Sequence, residues 1–319
     1  MNVSSGVINQ AAKLLLYGVE GIGKTTLISK LVGLGLKPLF FDSEAGTLKV
    51  NCERVGITDL ASFEANVAEF VQGKHDFKTL VIDTVTGLEP QVEIVILERT
   101  RKRRMGDFEY GRGSVLLREE FDRLLYEHFD AVVRAGYHVV LIGHAQIVRT
   151  QLPELLNGFD RYELAMDKKV SATLRQWSDH VLFCNWDFAV VENERSETRG
   201  VQGKGRAIFT THSAAFDAKN RSELAPKLDW KIESLAPLFN PVSASRPISP
   251  EHEKLWVEFQ AAFAAVNPET LAAFLKTRFP AFTPENFTVI GPNYLKAALA
   301  RQTEFRQTID EFSKPTASA

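Results

Sequence analysis

A glycine-rich stretch near the start of the chain constrains the fold more than any other feature. Residues 18–25 read Gly-Val-Glu-Gly-Ile-Gly-Lys-Thr, which has the spacing G-x-x-x-x-G-K-[ST]. An apolar run, residues 14–17, precedes this stretch, and a segment of helical character, residues 26–32, follows it. This order predicts a strand, a tight turn and a helix, in which glycines let successive backbone N–H groups point at one anion. The sequence therefore predicts a phosphate-binding loop, called the P-loop below.

Two side chains of the P-loop specify the ligand further. Lys24 would reach the β- and γ-phosphates of a nucleotide, and the hydroxyl of Thr25 would hold Mg²⁺. ATP and Mg²⁺ are therefore the expected substrate and cofactor. The expected nucleotide contacts cover the loop and the start of the helix: Gly18, Val19, Glu20, Gly21, Ile22, Gly23, Lys24, Thr25 and Thr26.

The overall composition restricts the class of protein. The 319 residues carry a formal net charge of -2, so any contact with nucleic acid must come from a local basic patch. Cys52 and Cys184 give neither a disulfide framework nor zinc-ligand spacing, which favours a reducing compartment. Residues 1–12 lack the pattern of a secretion signal, and no apolar run approaches the roughly 20 residues of a membrane span. We expect a soluble cytoplasmic protein.

Acidic residues follow the second predicted strand. Residues 38–41 form an apolar run that ends at Asp42 and is followed closely by Glu44. In an open parallel sheet this edge is where ligands bind, so both carboxylates are placed near the nucleotide. We expect Asp42 to lie in a solvated turn and Glu44 to have a role in the chemistry.

The next buried strand ends in a second acid. Residues 79–83 read Thr-Leu-Val-Ile-Asp, a Walker B pattern in which Asp83 would support the metal ion. Thr84 follows, whereas an ATPase of the AAA+ kind would carry its catalytic glutamate at that position. The water-activating base must therefore come from elsewhere, and Glu44 is the candidate.

Three segments, residues 40–45, 80–85 and 106–146, resemble the ATPase core of the RecA recombinases. More closely, the chain resembles phage-encoded RecA-like ATP-binding proteins that act in single-strand annealing and recombination. The resemblance covers roughly residues 13–221 and implies an α/β fold, a RecA-like P-loop core with a mainly parallel central sheet and an antiparallel edge hairpin. It also implies that Glu44 activates the attacking water. For a phage-encoded protein the compartment would be the host cytoplasm.

A basic and aromatic stretch follows a predicted helix over residues 89–100. Residues 99–104 hold five cations in six positions, and a glycine-broken segment with aromatic residues comes next. Cations that track phosphates and rings that stack on bases suit single-stranded DNA; the alternative is a solvated helix end whose cations complement the helix dipole. RecA-like proteins carry their first DNA-binding loop here. The candidate nucleic-acid contacts are Arg101, Lys102, Arg103, Arg104, Phe108, Tyr110 and Arg112.

A buried strand over residues 138–143 follows a long predicted helix, residues 114–135. It brings His144 and Gln146 to the sheet edge, where RecA-like proteins place a residue that senses the γ-phosphate. We favour His144 and keep Gln146 as the alternative. Residues 147–167 occupy the place of a second DNA-binding loop, although they are less basic than the first.

Two apolar runs, residues 179–191 and 204–211, predict the antiparallel hairpin. In the RecA family, basic residues of this hairpin reach the γ-phosphate bound by a neighbouring protomer, which assigns Lys204 and Arg206 a role in trans. The alternative is a pair of ordinary solubilising charges. No role is assigned to Lys219 and Arg221, which belong to a Lys-Asn-Arg stretch that the related phage proteins share.

The composition changes after the hairpin. We divide the chain into a RecA-like ATPase core (1–236), a linker rich in proline and serine (237–250) and a small helical C-terminal region (251–319), the last with a helix over residues 294–312. The helical region is expected to pack on the core or to bind a partner, such as a single-strand-binding or replication protein.

The function predicted from these features is ATP hydrolysis coupled to single-stranded DNA binding, annealing or strand exchange, with self-association into a ring or filament. One alternative is a nucleotide switch that loads or scaffolds a replication or recombination partner. Another is a small-molecule P-loop kinase, in which the cations of residues 99–104 would belong to a lid.

Overall fold

The structure is a computed structural model that describes residues 10–151, 157–192, 198–239, 250–279, 282, 287 and 290–313. Within these ranges nine strands form one sheet in the order β3-β2-β4-β5-β1-β7-β8-β9, and β6 pairs with the far end of β5. The strands are β1 (Lys13–Gly18), β2 (Pro38–Asp42), β3 (Glu53–Gly56), β4 (Thr79–Asp83), β5 (His138–Thr150), β6 (Phe159–Leu164), β7 (His180–Glu192), β8 (Thr198–Phe209) and β9 (Lys227–Asp229).

The six neighbouring strands β3, β2, β4, β5, β1 and β7 pair in parallel, and β8 and β9 continue the sheet in antiparallel pairing. This is the predicted α/β architecture, with a mainly parallel central sheet, an antiparallel hairpin and C-terminal helices. The helices in the described ranges are α1 (Lys24–Ser29), α2 (Leu60–Val71), α3 (Val85–Thr100), α4 (Arg112–Arg123), α5 (Asp130–Arg134), α6 (Lys168–Trp177), α7 (Pro250–Ala262), α8 (Pro268–Arg278), α9 (Pro292–Ala300) and α10 (Gln302–Ser313). A π-helical turn, Leu124–Phe129, joins α4 to α5.

The central strands are covered on both faces, which explains their nearly continuous apolar sequences. Successive side chains of a strand point to opposite faces. Leu14 and Leu16 of β1 therefore join the apolar layer beneath α1, whereas Leu15 and Tyr17 join the layer that contains α2 and α3. The P-loop thus starts from a strand that is fixed in the middle of the core.

Several element boundaries differ from the predictions. The helix predicted from residue 89 begins at Val85, because the Thr84 side chain caps it by accepting from the Gly87 N–H. The strand predicted to end at residue 143 runs on to Thr150, because β6 supplies a pairing partner there. The short strands β3 and β9 were not predicted, since three or four residues are too few to establish a period.

The C-terminal helices pack on the core. Buried aromatic residues of this region, including Trp256, Phe259 and Phe274, belong to the same apolar cluster as α2, α3 and α4. The helix predicted over residues 294–312 is instead two helices, α9 and α10, which meet at the non-helical Arg301. The domain boundaries remain a prediction, because residues 240–249 of the linker lie outside the described part of the chain. Among the described helices, none has the length and apolar character required to cross a membrane.

Candidate nucleotide-binding site

The P-loop connects β1 to α1 and depends on its glycines for shape. Gly21 and Gly23 have φ angles of 69° and 97°, in the left-handed region that side chains with a Cβ disfavour. Gly18 is required for another reason: a Cβ there would collide with the backbone carbonyl of Cys184 on the adjacent strand β7. The glycine spacing therefore reflects two residues with left-handed backbone conformation and one close contact between strands.

Lys24 is the buried cation of the loop, with 6% of its surface exposed. Its Nζ donates to the carbonyl oxygens of Gly18 (2.9 Å) and Val19 (3.0 Å), which folds the side chain back over the loop. Burial lowers the pKa of Lys24, and the nearby Asp83 opposes this effect. The ammonium group can therefore replace its hydrogen bonds to the Gly18 and Val19 carbonyls with hydrogen bonds to phosphate oxygens when a nucleotide binds.

Asp83 ends β4 beside the P-loop and is only 3% exposed. Its Oδ2 is buried and has no hydrogen-bond partner among the described residues. Burial raises the pKa of Asp83 to about 6, although the Thr25 hydroxyl and the Lys24 ammonium act in the opposite direction. An orphaned buried carboxylate oxygen next to a threonine hydroxyl fits the oxygen-rich surroundings of Mg²⁺. Thr25 and Asp83 are therefore the residues that would hold or support the metal ion.

Asp42 does not lie in a solvated turn, so that prediction is wrong. The side chain is 5% exposed and accepts hydrogen bonds from the backbone N–H groups of Glu44 (3.2 Å), Gly46 (3.1 Å) and Thr47 (3.0 Å). Burial would raise the pKa of Asp42, but these bonds and that of the Thr47 hydroxyl outweigh it and lower the pKa. Asp42 therefore organises the turn that carries Glu44.

Glu44 and His144 are brought together from β2 and β5. Nε2 of His144 lies 3.1 Å from Oε2 of Glu44, and the two side chains are 25% and 37% exposed, so solvent reaches the pair. The hydrogen bond from His144 is the largest influence on Glu44 and lowers its pKa, with burial opposing. A Cβ at Gly87 would collide with the Glu44 side chain, so this glycine at the start of α3 provides its space. The arrangement keeps Glu44 ionised, as a base must be.

Comparison with known proteins shows the family of this chain. A family described as "AAA domain" matches residues 10–222, a span that includes the P-loop, Glu44, Asp83 and His144. The chain belongs to this AAA domain family. It is accordingly a P-loop ATPase by fold and family, which implies that it binds a nucleotide.

More distant comparisons add little to the family assignment. The crystal structure of the flagellar accessory protein FlaH from Methanocaldococcus jannaschii is similar over 66% of this chain and 88% of that chain, at 8% sequence identity and a TM-score of 0.30. A likeness this weak carries no further argument. No curated protein sequence matches the chain.

In this member of the AAA domain family, the residue after the Walker B acid has a structural task. Thr84 is 4% exposed; its hydroxyl caps α3, and its backbone N–H and carbonyl both bond to the Ser43 hydroxyl. The position is thus occupied by a link between β2 and β4. This agrees with the deduction that the base lies elsewhere.

The two candidate γ-phosphate sensors differ in their surroundings. His144 contacts Glu44, and its backbone N–H donates to the hydroxyl of Thr86 on α3 (3.0 Å). Gln146 is exposed on the projecting part of β5. The geometry therefore favours His144, although its role as a sensor remains a prediction.

The candidate DNA-binding residues lie apart from the P-loop, beyond the end of α3. Arg101, Lys102, Arg103 and Arg104 are all exposed, and so is Arg112 at the start of α4. Aromatic side chains stand among these cations. The Lys102 ammonium lies 6.0 Å from the centre of the Phe108 ring, and Tyr110 is fully exposed. Lys102, Phe108, Tyr110 and Arg112 line one open surface cavity of about 700 Å³, called the basic–aromatic cavity below.

The two basic residues of the β7–β8 hairpin, Lys204 and Arg206, differ in what the structure describes. The side chain of Lys204 lies outside the described part of the structure. Arg206 contacts the P-loop of its own chain: its Nη1 donates to the Ile22 carbonyl at 2.9 Å. A role of either residue in a neighbouring protomer remains a prediction.

The Lys-Asn-Arg stretch, which had no assigned role, has structural contacts. Nζ of Lys219 donates to the carbonyls of Arg175, Gln176 and Ser178 at the C-terminal end of α6. Arg221 pairs with Asp179 at 2.7 Å. A cation that binds the last carbonyls of a helix also complements its dipole. The stretch therefore fixes α6, and only the three-dimensional arrangement reveals this.

Proposed function

We propose that this protein hydrolyses ATP with Mg²⁺ and couples hydrolysis to the binding of single-stranded DNA, for annealing or strand exchange in recombination. The observation that carries the proposal is the hydrogen bond between His144 and Glu44. It joins a solvent-accessible carboxylate near the P-loop to β5, the strand that projects from the sheet and continues into β6. His144 and Glu44 also adjoin the first turn of α3, at Thr86 and Gly87, so a change at the nucleotide would be transmitted along α3 to the basic segment at its other end.

The chemical step follows from the placement of the side chains. Lys24 leaves the carbonyls of Gly18 and Val19 and binds the phosphate oxygens. Glu44 accepts a proton from a water molecule as the water oxygen bonds to the γ-phosphorus and the bond to the ADP oxygen breaks. His144 holds the carboxylate in position during this transfer. Thr25 and Asp83 would hold and support Mg²⁺, which would supply neutralising charge at the phosphate oxygens.

The basic–aromatic cavity is the proposed DNA contact. Single-stranded DNA requires cations for its phosphates and flat rings for its bases, and this cavity supplies both: Lys102 and Arg112 are exposed, Tyr110 is fully exposed and Phe108 is half-buried. A protein with a net charge of -2 has no general attraction for DNA, so a local site must provide the affinity. Phosphate neutralisation by Arg101, Lys102 and Arg112 would make binding strongly dependent on salt.

Assembly belongs to the same proposal. Self-association into a ring or filament would bring the hairpin of one protomer to the nucleotide of the next, and Lys204 is the candidate contact in trans. The C-terminal helices would offer a surface to a single-strand-binding or replication protein, since Val257 and Phe312 are exposed there.

The test is ATP turnover and DNA affinity of the same preparation. ATPase rates are measured with and without an oligonucleotide of single-stranded DNA, and affinity is measured by fluorescence anisotropy at several salt concentrations. The proposal expects DNA to bind, with an affinity that falls steeply with salt, and to stimulate turnover. ATP binding without any binding of DNA would favour the nucleotide-switch function instead.

A further inference from the structure

Arg206 and Trp230 are neighbours across the last pair of strands. In the antiparallel register Ala207 of β8 pairs with Asp229 of β9. This pairing places Arg206, which precedes Ala207, beside Trp230, which follows Asp229. The Arg206 guanidinium lies 5.0 Å from the centre of the Trp230 ring. Trp230 itself packs against the apolar layer that contains Ile22. The stacked pair is thus anchored to the same layer as the P-loop.

The guanidinium reaches the loop backbone at one point. Nη1 of Arg206 donates to the carbonyl oxygen of Ile22 at 2.9 Å, a contact between residues 184 positions apart. A Cβ at Gly23 would stand 2.8 Å from the same nitrogen. Gly23 is therefore needed both for its φ of 97° and for the approach of Arg206.

This contact fixes the direction of a peptide plane. In a trans peptide the C=O and the following N–H point to opposite sides. With the Ile22 carbonyl held outward by Arg206, the N–H of Gly23 is directed to the other side. The N–H groups of a P-loop are its principal phosphate ligands, so the direction of this N–H bears on nucleotide affinity.

We propose that Arg206, held by Trp230, is a positioning residue for the P-loop of its own chain. It fixes the Ile22–Gly23 peptide so that the Gly23 N–H is directed to the phosphates. The inference rests on the proposed ATP binding and assigns Arg206 to the nucleotide of its own protomer rather than to that of a neighbour. Because Arg206 remains partly open to solvent, the assignment in trans is the competing account, and an experiment separates the two.

The residue types suit the task. A guanidinium is planar, so it can stack on an indole ring and donate from its edge at the same time. A lysine ammonium lacks this geometry, and we expect Arg206→Lys not to restore function. Trp230→Phe retains a flat ring on which the guanidinium can stack, so this variant should keep most of the nucleotide affinity.

The first experiment measures the affinity of full-length variants for a fluorescent ATP analogue, together with KM, kcat and the melting temperature of the nucleotide-free protein. We expect Arg206→Ala and Trp230→Ala to weaken nucleotide binding about tenfold and to raise KM with a smaller change in kcat. Arg206→Ala should leave the melting temperature close to wild type, whereas Trp230→Ala should lower it, because that variant also loses packing on the apolar layer. Lys231→Ala is the matched control, because this neighbouring cation pairs with the exposed Asp229 and should leave affinity unchanged.

The second experiment mixes protomers. Arg206→Ala is combined with Glu44→Gln, which retains Arg206 but lacks the base. If Arg206 acts on its own chain, the mixture shows no more activity than the sum of its parts. Recovery of turnover would place Arg206 in trans and overturn the inference, as would unchanged affinity in Arg206→Ala. If the wild type itself did not bind ATP, the proposed function and the role of Arg206 would both be refuted. Failure of the Arg206 inference alone is therefore distinguishable from failure of the proposed function.

Discussion

The imidazole of His144 and the carboxylate of Glu44 are joined by a hydrogen bond of 3.1 Å between Nε2 and Oε2. The bond links the turn after β2 to β5, which lies two strands away across β4. It lowers the pKa of Glu44 more than burial raises it. The pair is therefore both a way to keep the base charged and a connection between the nucleotide and the outer part of β5.

Removal of His144 should change the pH dependence of turnover. Without the hydrogen bond the pKa of Glu44 rises towards its usual value, so the base becomes protonated at a higher pH. In His144→Ala the acidic limb of the kcat profile should move to higher pH, and kcat at pH 7 should fall about 10–100-fold because the carboxylate is less well positioned. Gln146→Ala should leave the acidic limb in place. The reverse pattern, with the shift in Gln146→Ala alone, would assign the role to Gln146.

The basic–aromatic cavity should account for most of the DNA affinity. Reversal of charge at Lys102 and Arg112 should weaken binding of single-stranded DNA and reduce the slope of log affinity against log salt by about one unit for each phosphate that is no longer neutralised. Tyr110→Ala should weaken binding without altering the slope, since a ring contributes stacking rather than charge. A double reversal at Lys254 of α7 and Lys276 of α8, two exposed cations outside the cavity, is the matched control for the change in net charge. Unchanged affinity and slope would remove the cavity from the site.

Lys219 should contribute to stability and not to nucleotide binding. Lys219→Ala removes the cation from three carbonyls at the end of α6, which should lower the free energy of unfolding by about 2 kcal/mol. Chemical denaturation measures this loss, and the KM for ATP should not change. Lys168→Ala, at the other end of the same helix, should cost little, because its cation stands at the positive end of the dipole. A raised KM with unchanged stability in Lys219→Ala would contradict this structural role.

Glu89 should make stability depend on pH. Burial raises the pKa of this carboxyl on α3 to about 7 from its usual 4.5, although the Asp167 N–H donates to it. Between pH 4.5 and about 7 the folded protein therefore keeps a proton on Glu89 that the unfolded chain has lost. The stabilisation is fully present below the unfolded value and is lost as the pH rises through about 7.

Glu89→Gln removes this dependence while it retains an oxygen that can accept from Asp167. The variant should be more stable than the wild type at pH 8, by about 2 kcal/mol, and the advantage should shrink towards pH 5. Urea denaturation at both pH values measures the difference, and Glu98→Gln at an exposed position of the same helix is the control. An advantage that did not vary with pH would contradict the account.

The sequence predicted what depends on local patterns. The P-loop, the apolar strands and the acid at the end of β4 each combine a short motif with a periodic neighbourhood, and the fold follows from their order. The prediction that the base lies at Glu44 rather than at position 84 also came from local information. Its assignment as the catalytic base remains to be measured.

Other features depend on contacts that no local pattern contains. The exposed residues Gln146 and Arg149 have the composition of a loop, yet β6 pairs with this segment and makes it a strand. Asp42 has the sequence of a surface turn, but the backbone N–H groups that follow it fold back onto its carboxylate. Arg206 stands beside Trp230 only because of the register between β8 and β9.

The central claim is that Glu44 is the base of an ATPase that responds to single-stranded DNA. The most direct measurement compares ATP affinity and ATP turnover of the wild type and Glu44→Gln, with and without single-stranded DNA, and uses Glu53→Gln as a control for the loss of an exposed carboxylate. The account predicts DNA-stimulated turnover in the wild type and in the control, and in Glu44→Gln an ATP affinity close to wild type with turnover reduced by about 100-fold or more. Full turnover by Glu44→Gln would contradict it.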